Sequence, residues 1–321
     1  MVPYVTVLAT LTAALGAPPA QPAAGTALPG TGATVVADLA GRPVQLTSYA
    51  PLSPDGQRAW SPAKKAFVES DGPFTVSPGE RWEATLVRGA RSRVAVPPTV
   101  RLLDRRTGRA SEVRLPVPKD PEGNHLNTLW PTWSPDGRHL LLNVFEPGHE
   151  PRSEGIVLID VPSLKARFVR IENALITVGG FQWTRDSKGV VVRWGRNGAS
   201  TIRRYDLTGA VERTWKVRGR PVGHGLGTFS PSGRRFVTAC TSLEKAACVW
   251  DTRTGKAVTR IDVAFSAVWG PVLGWYDERH LLAPVRDGFG VVDLTGKVVE
   301  TLVKVDEKQQ IYPWFDARVK R

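Results

Sequence analysis

Two carboxylates beside an imidazole can relay a proton or hold a divalent cation. One stretch of the chain is dense enough to raise that chemistry: NVFEPGHEPRSEG, from Asn143 to Gly155, which carries Glu146, His149, Glu150 and Glu154. The same stretch reads equally well as a solvated hairpin loop, and no D-x-D-x-D-G run makes it a calcium loop. The five His residues (125, 139, 149, 224 and 280) include no i, i+4 pair that would place two imidazoles on one helix face. A serine nucleophile on a sharp strand-to-helix turn needs G-x-S-x-G, which is missing. Gly255-Lys256 and Gly296-Lys297 lack the upstream Gly and the following Ser or Thr of a phosphate loop. The expectation is therefore no catalytic residue, no metal and no cofactor.

What remains is recognition chemistry. The segment VRWGRNG sets Arg193, Trp194, Arg196 and Asn197 close together, a stacking ring beside guanidinium and amide donors. His224, in PVGHGLG, is the His embedded in a glycine loop and is placed to line a channel mouth. Cys240 and Cys248 flank TSLEKAA between two strand-like runs, RRFVTAC and CVWD. Paired strands would bring them together as a disulfide that clips a hairpin; the alternative is two buried free thiols. The spacing is not C-x-x-C, so neither reading is catalytic.

The elements that must position these groups come from an internal repeat. An apolar β run ending in Asp, a short turn and a second β run recur as VVADLAGRPVQL, RLLDRRTGRASEVRL, VLIDVPSLKARFV, IRRYDLTGAVERTW, CVWDTRTGKAVTRI and GVVDLTGKVVETL. The Asp is residue 38, 104, 160, 206, 251 or 293 (Asp38, Asp104, Asp160, Asp206, Asp251, Asp293), at separations of 66, 56, 46, 45 and 42 residues. That is the period of a four-stranded unit with loop insertions. An aromatic or apolar residue followed by a tight turn precedes most of these copies: VSPGER, WSPDGRHLLL with Asp136, WTRDSKGVVV, FSPSGRRFVT and WYDERHLLAP. Pro sets φ at the first turn position, Asp or Ser accepts a local amide, and Gly takes positive φ, so each is a hairpin turn. Trp133, Trp183, Trp275 and Trp314 are expected at one repeat position, packed between units. The less periodic Trp60, Trp82, Trp130, Trp194, Trp215 and Trp269 are better placed for a surface.

These turns and the V-W-D-x-x-T-G segment resemble those of the WD-repeat and TolB-like β-propeller families, over about residues 34 to 316. The varied spacing, and the absence at the expected places of the Gly-His dipeptide common in WD repeats, fit the TolB-like kind better. The resemblance implies an all-β propeller of six blades, each of four antiparallel strands. The unmatched copies at Asp38 and at Tyr312 to Asp316 would share one blade that closes the ring between N- and C-terminal strands. Seven blades is the alternative, if Tyr49 to Phe74 holds a degenerate extra one. The resemblance also implies a non-enzymatic docking scaffold for another protein. The alternatives are a propeller enzyme of lactonase or lyase type with a channel metal site, or a binder of an anionic envelope polymer.

Length, charge and the N-terminus complete the reading. A chain of 321 residues, 41% hydrophobic with eleven Trp, builds a sizeable core and is not disordered. Net charge is +13, but the 43 basic residues are scattered as pairs such as Arg105-Arg106 and Arg234-Arg235 rather than run together, so nucleic acid is not the expected partner. Residues 1–25 look like a signal-peptide leader, with an apolar run from Tyr4 to Ala17 that is too short to span a bilayer, although no basic residue precedes it; a core strand is the other reading. Residues 26–33 read as a Pro/Ala/Gly-rich spacer and 34–321 as a single propeller domain. The expected location is secreted or in the cell envelope, as a monomer, with the cytoplasm as the alternative.

Overall fold

The structure, a computed structural model, describes residues 22–318 apart from 52–56, 62–63, 70–73, 88–97, 147–151, 177–179, 196–200, 224, 241–244, 264–269 and 307–310. The described residues form strands and turns only. A short hairpin, β1 (Thr26–Ala27) and β2 (Thr34–Val35), comes first. Blade one takes β3 (Val44–Pro51), β4 (Arg58–Ser61) and β5 (Ala66–Glu69). Blade two holds β6 (Phe74–Val76), β7 (Trp82–Leu86), β8 (Thr99–Asp104) and β9 (Arg109–Arg114). Blade three holds β10 (Asn127–Trp133), β11 (His139–Phe145), β12 (Ser153–Asp160) and β13 (Lys165–Arg170). Blade four holds β14 (Gln182–Trp183), β15 (Gly189–Trp194), β16 (Thr201–Asp206) and β17 (Val211–Trp215). Blade five holds β18 (Arg220–Pro221), β19 (Arg235–Ala239), β20 (Ala246–Asp251) and β21 (Ala257–Asp262). Blade six holds β22 (Gly274–Trp275), β23 (His280–Val285), β24 (Gly288–Asp293) and β25 (Val298–Lys304), and β26 (Ile311–Ala317) returns to pair with β3. The result is a six-bladed propeller of four-stranded antiparallel blades, closed by strands from the two ends of the chain.

The middle strands read as near-continuous apolar runs because both of their faces are covered by neighbouring blades. In β11, Leu140, Leu142 and Val144 pack toward blade two, whereas Leu141 and Phe145 pack toward blade four. Apolar clusters fill the junctions of blades two with three, three with four, four with five, five with six, and six with one. Outer strands also carry the blades' lateral ties. The Arg167 guanidinium of β13 donates to the Leu207 carbonyl of blade four at 2.6 Å, Arg213 of β17 donates to the Arg253 carbonyl of blade five, and the Thr259 hydroxyl of β21 donates to the Leu294 carbonyl of blade six.

The turns use the chemistry that their sequences announce. In blade three the Ser134 hydroxyl donates to Asp136 Oδ1 at 2.6 Å and accepts the His139 amide at 2.9 Å. Ser77 and Thr184 accept the amide five residues on in the same way. The turn aspartates at the ends of third strands act alike: Asp206 Oδ1 accepts the Thr208 amide, the Thr208 hydroxyl and the Ala210 amide, and Asp293 repeats the pattern with Thr295 and Lys297. Asp104 accepts Arg106 N–H, Asp251 accepts Thr254 N–H, and Asp160 accepts the Ser163 hydroxyl.

Asp38 does not end a third strand; it lies between β2, which pairs with β25, and β3, so its segment crosses from the edge of blade six to blade one. The third strand of blade one is β4, which ends at Ser61, and the described residues between Tyr49 and Glu69 belong to β3, β4 and β5 of that blade rather than to a seventh. The C-terminal strand is also displaced in register. Arg318 N–H donates to the Pro43 carbonyl as Ser134 N–H does to His139, so Ala317, not Trp314, takes the place that Trp133 holds in blade three. Residues 26–33, read as a spacer, carry β1, and Leu28 and Ala33 pack in the cluster between blades six and one. The leader-like run from Tyr4 to Ala17 lies outside the described residues.

Candidate functional site

Antiparallel order sends the first-to-second and third-to-fourth turns of every blade to one end of the propeller and the remaining connections to the other. Call these the tight-turn end and the loop end. Arg193 and Trp194 finish β15 at the loop end. The chain from blade three to blade four is stitched beneath them: Ser153 N–H donates to the Ala174 carbonyl at 2.9 Å and Leu175 N–H donates to the Arg193 carbonyl at 2.8 Å. Trp194 is bridged to Ala174 on one side and paired with Thr201 on the other.

Arg203, one turn of the pleat along β16 from Thr201, lays its guanidinium 3.3 Å from the Trp194 ring centroid. Burial pushes the pKa of the neighbouring Tyr205 hydroxyl up, and the Arg203 guanidinium draws it back. Trp194, Arg193 and Arg203 are all half-buried. A planar cation over an indole is favourable by roughly 0.5–2 kcal/mol and presents a flat, pre-ordered surface. Arg203 was not singled out by its sequence context; the signal was its place two residues into the strand that follows VRWGRNG. Arg196, Asn197 and His224 lie outside the described residues, as do His149 and Glu150.

The remaining Trp residues separate by burial. Trp60 and Trp215 are core residues, and Trp215 donates its indole N–H to the Thr252 carbonyl of blade five at 2.9 Å. Trp82 is half-buried with Arg81 5.1 Å from its ring centroid. Trp269 lies outside the described residues.

Cys240 and Cys248 form a disulfide at the loop end of blade five, with Cα atoms 5.7 Å apart. They sit diagonally rather than directly opposite. Cys240 N–H bonds the Ala246 carbonyl, while Cys248 pairs with Thr238. The acidic stretch of blade three places Glu154 where burial, then the charges of Glu146 and Glu172, push its carboxyl up, with Arg170 opposing at 3.9 Å. Among the described residues, no three His, Cys, Asp or Glu side chains gather in a way that could hold a metal ion.

One buried carboxylate escaped the sequence reading. Asp316 of β26 is 9% exposed and accepts the Thr47 hydroxyl at 2.6 Å. Burial, opposed by that hydrogen bond and reinforced by Glu80, pushes its pKa up to about 6. The glycine loop of blade five, which bulges out of the innermost strand between Pro221 and Thr228, rests against it: Ala317 N–H donates to the Gly225 carbonyl at 3.3 Å. A lone Asp in the apolar strand IYPWFDA was the available clue.

No protein-family model matches the chain, and no curated protein matches it in sequence. Solved structures do resemble it. TolB from Acinetobacter baumannii is 17% identical over 88% of this chain and 67% of its own, with a TM-score of 0.49. Hydrazine synthase from Kuenenia stuttgartiensis is 12% identical over 82% of this chain and 86% of its own, with a TM-score of 0.51. A nidogen/laminin complex includes a chain 9% identical over 85% of this chain and 98% of its own, with a TM-score of 0.51. At these identities the similarity is one of fold, and that to the hydrazine synthase and nidogen/laminin chains agrees with the strand pairing in making this chain a β-propeller.

Proposed function

We propose that the chain is an exported, non-enzymatic scaffold of the TolB-like or WD-repeat kind, which docks another protein at its loop end. The observation that carries this reading is the Trp194–Arg203 stack. Trp and Arg are the residue types that dominate protein interfaces, and here they are half-exposed and already ordered by β15, β16 and the stitched blade-three connection. Pre-ordering matters because it lowers the entropy lost on binding. The Cys240–Cys248 disulfide supports an extracytoplasmic location, since such bonds persist in oxidising compartments, and the apolar N-terminal run agrees with export.

The test is capture from envelope extract on immobilised wild-type chain and on the Trp194→Ala/Arg203→Ala variant, with bound polypeptides identified by mass spectrometry. The expected result is a discrete polypeptide held at high salt by the wild type and lost from the variant. Equal recovery on both would remove this surface from the function. Recovery of only a heterogeneous anionic fraction, released at moderate salt, would replace protein docking with charge attraction.

A further inference from the structure

Basic residues that look scattered in the sequence are gathered by the fold. Because every blade turns twice at the tight-turn end, each repeat delivers its turn cations to the same end. Lys65, Arg106, Arg138, Lys188, Arg253 and Lys297, one from each of the six blades, are all exposed there. None of them makes an ion pair among the described residues. The aspartates of the same turns are engaged by backbone amides and turn hydroxyls, as at Asp206, Asp251 and Asp293. The same turns also hold exposed carboxylates, Asp136 and Asp186, and the opposite end carries exposed cations of its own, among them Lys119, Lys216, Arg218, Arg286 and Lys304, but without the one-per-blade ring arrangement.

Exposed apolar side chains do separate the two ends. Apart from Val87 at the loop end, the exposed large apolar side chains of the described residues all sit toward the tight-turn end: Leu164 in the turn after β12, and Val211, Val258, Val298 and Val299 in the first residues of outer strands. Lys165, Ala257 after Lys256, and Lys297 adjoin them in sequence.

We propose that the tight-turn end is a docking surface for the anionic phospholipid headgroups of a bilayer. Cations distributed around a ring fit a broad charged plane, whereas a linear polyanion would call for cations aligned along a track. Exposed Leu and Val at the rim would enter the headgroup region, a contact that a soluble polyanion does not offer. This inference does not rest on the protein-docking reading, which concerns the opposite end; both surfaces can be occupied together.

The experiment is co-sedimentation of the full chain with vesicles of phosphatidylglycerol and phosphatidylcholine, against vesicles of phosphatidylcholine alone. Two variants with equal change in net charge are compared: Arg106→Glu/Arg138→Glu/Lys188→Glu at the tight-turn end, and Lys119→Glu/Arg286→Glu/Lys304→Glu at the loop end. Binding is expected on the anionic vesicles only, weakened at least about tenfold by the first triple and less than about threefold by the second. Trp194→Ala/Arg203→Ala is expected to leave it unchanged. Equal binding to both lipids, equal loss from both triples, or retention by soluble polyphosphate but not by vesicles overturns the proposal. Should the first triple fail to fold, acetylation of wild-type lysines with and without anionic vesicles decides. Selective protection of Lys65, Lys188 and Lys297 over Lys119 and Lys304 is expected, and uniform protection overturns it.

Discussion

The Trp183 indole N–H of blade four donates to the main-chain carbonyl of Thr132 in blade three at 3.0 Å. Trp275 of blade six repeats the bond to Thr228 of blade five at 2.9 Å. Trp133 occupies the same position in blade three, yet its buried indole N–H has no hydrogen-bond partner among the described residues. The ring therefore contains an internal control. Trp183→Phe removes a bond, while Trp133→Phe removes a similar volume and relieves an unsatisfied donor. Urea unfolding should find Trp183→Phe less stable than Trp133→Phe by about 1–2 kcal/mol. Equal losses would mean that the aromatic position acts through packing alone.

This position also shows how much of the fold is legible in sequence. Trp133, Trp183, Phe229 and Trp275 announce it because each is followed by a turn whose Ser, Thr, Asp and Gly have defined jobs. Asp104, Asp160, Asp206, Asp251 and Asp293 likewise mark the ends of third strands, each with a local bond that explains it. Blade one hides because it is assembled from the two ends of the chain, its third strand ends at Ser61 rather than Asp, and Ala317 replaces the aromatic. Asp38 imitates the motif, accepting Ala40 N–H at 2.9 Å, because an Asx turn is local chemistry and does not report strand pairing. The Trp194–Arg203 contact depends on which residues face each other across β15 and β16, and the cationic end depends on topology; a one-dimensional spacing encodes neither.

The disulfide closes a short loop between the two middle strands of blade five, so its effect is on the unfolded chain. Cys240 and Cys248 are eight residues apart. A loop of that size restricts the unfolded ensemble by about 2–3 kcal/mol. Cys240→Ser/Cys248→Ser is expected to lower stability by that amount, and reducing agent to destabilise the wild type but not the variant. An unchanged unfolding midpoint in reducing agent would mean that the bridge adds nothing to the fold.

Gly225 and Gly108 both adopt positive φ, at +70° and +71°, but in different company. A Cβ at Gly108 meets nothing within 4 Å, whereas at Gly225 it would come within 2.3 Å of Asp316 Oδ1 and the Phe315 carbonyl. Gly108→Ala is expected to cost about 1 kcal/mol for backbone conformation alone. Gly225→Ala must also push the blade-five loop off β26, for a total of about 2–4 kcal/mol. Equal costs would show that this loop yields freely and does not hold Asp316 in place.

Asp316 sets a pH dependence opposite in sign to that of the turn aspartates. Its folded pKa of about 6 lies above the ordinary 3.8, so between those values the folded chain holds a proton that the unfolded chain has lost. Stability from this residue is therefore highest below pH 3.8, declines as pH rises toward about 6, and is level above that, for a change on the order of 3 kcal/mol. Asp104 is lowered first by Arg81, and Asp206, Asp251 and Asp293 are lowered first by the hydroxyls of Thr208, Thr254 and Thr295. Their stabilisation is present above the ordinary carboxylate pKa and is lost as pH falls through the lowered folded values. The two contributions separate in Asp316→Asn, which keeps an oxygen for the Thr47 hydroxyl and cannot ionise. Relative to wild type, the variant should gain stability steadily from pH 4 to pH 6 and stop gaining beyond about pH 6.5, while both chains lose stability alike in stronger acid. A difference between the two proteins that stays flat from pH 4 to pH 7 would show that Asp316 ionises normally, and that water reaches the seam between β26 and the blade-five loop.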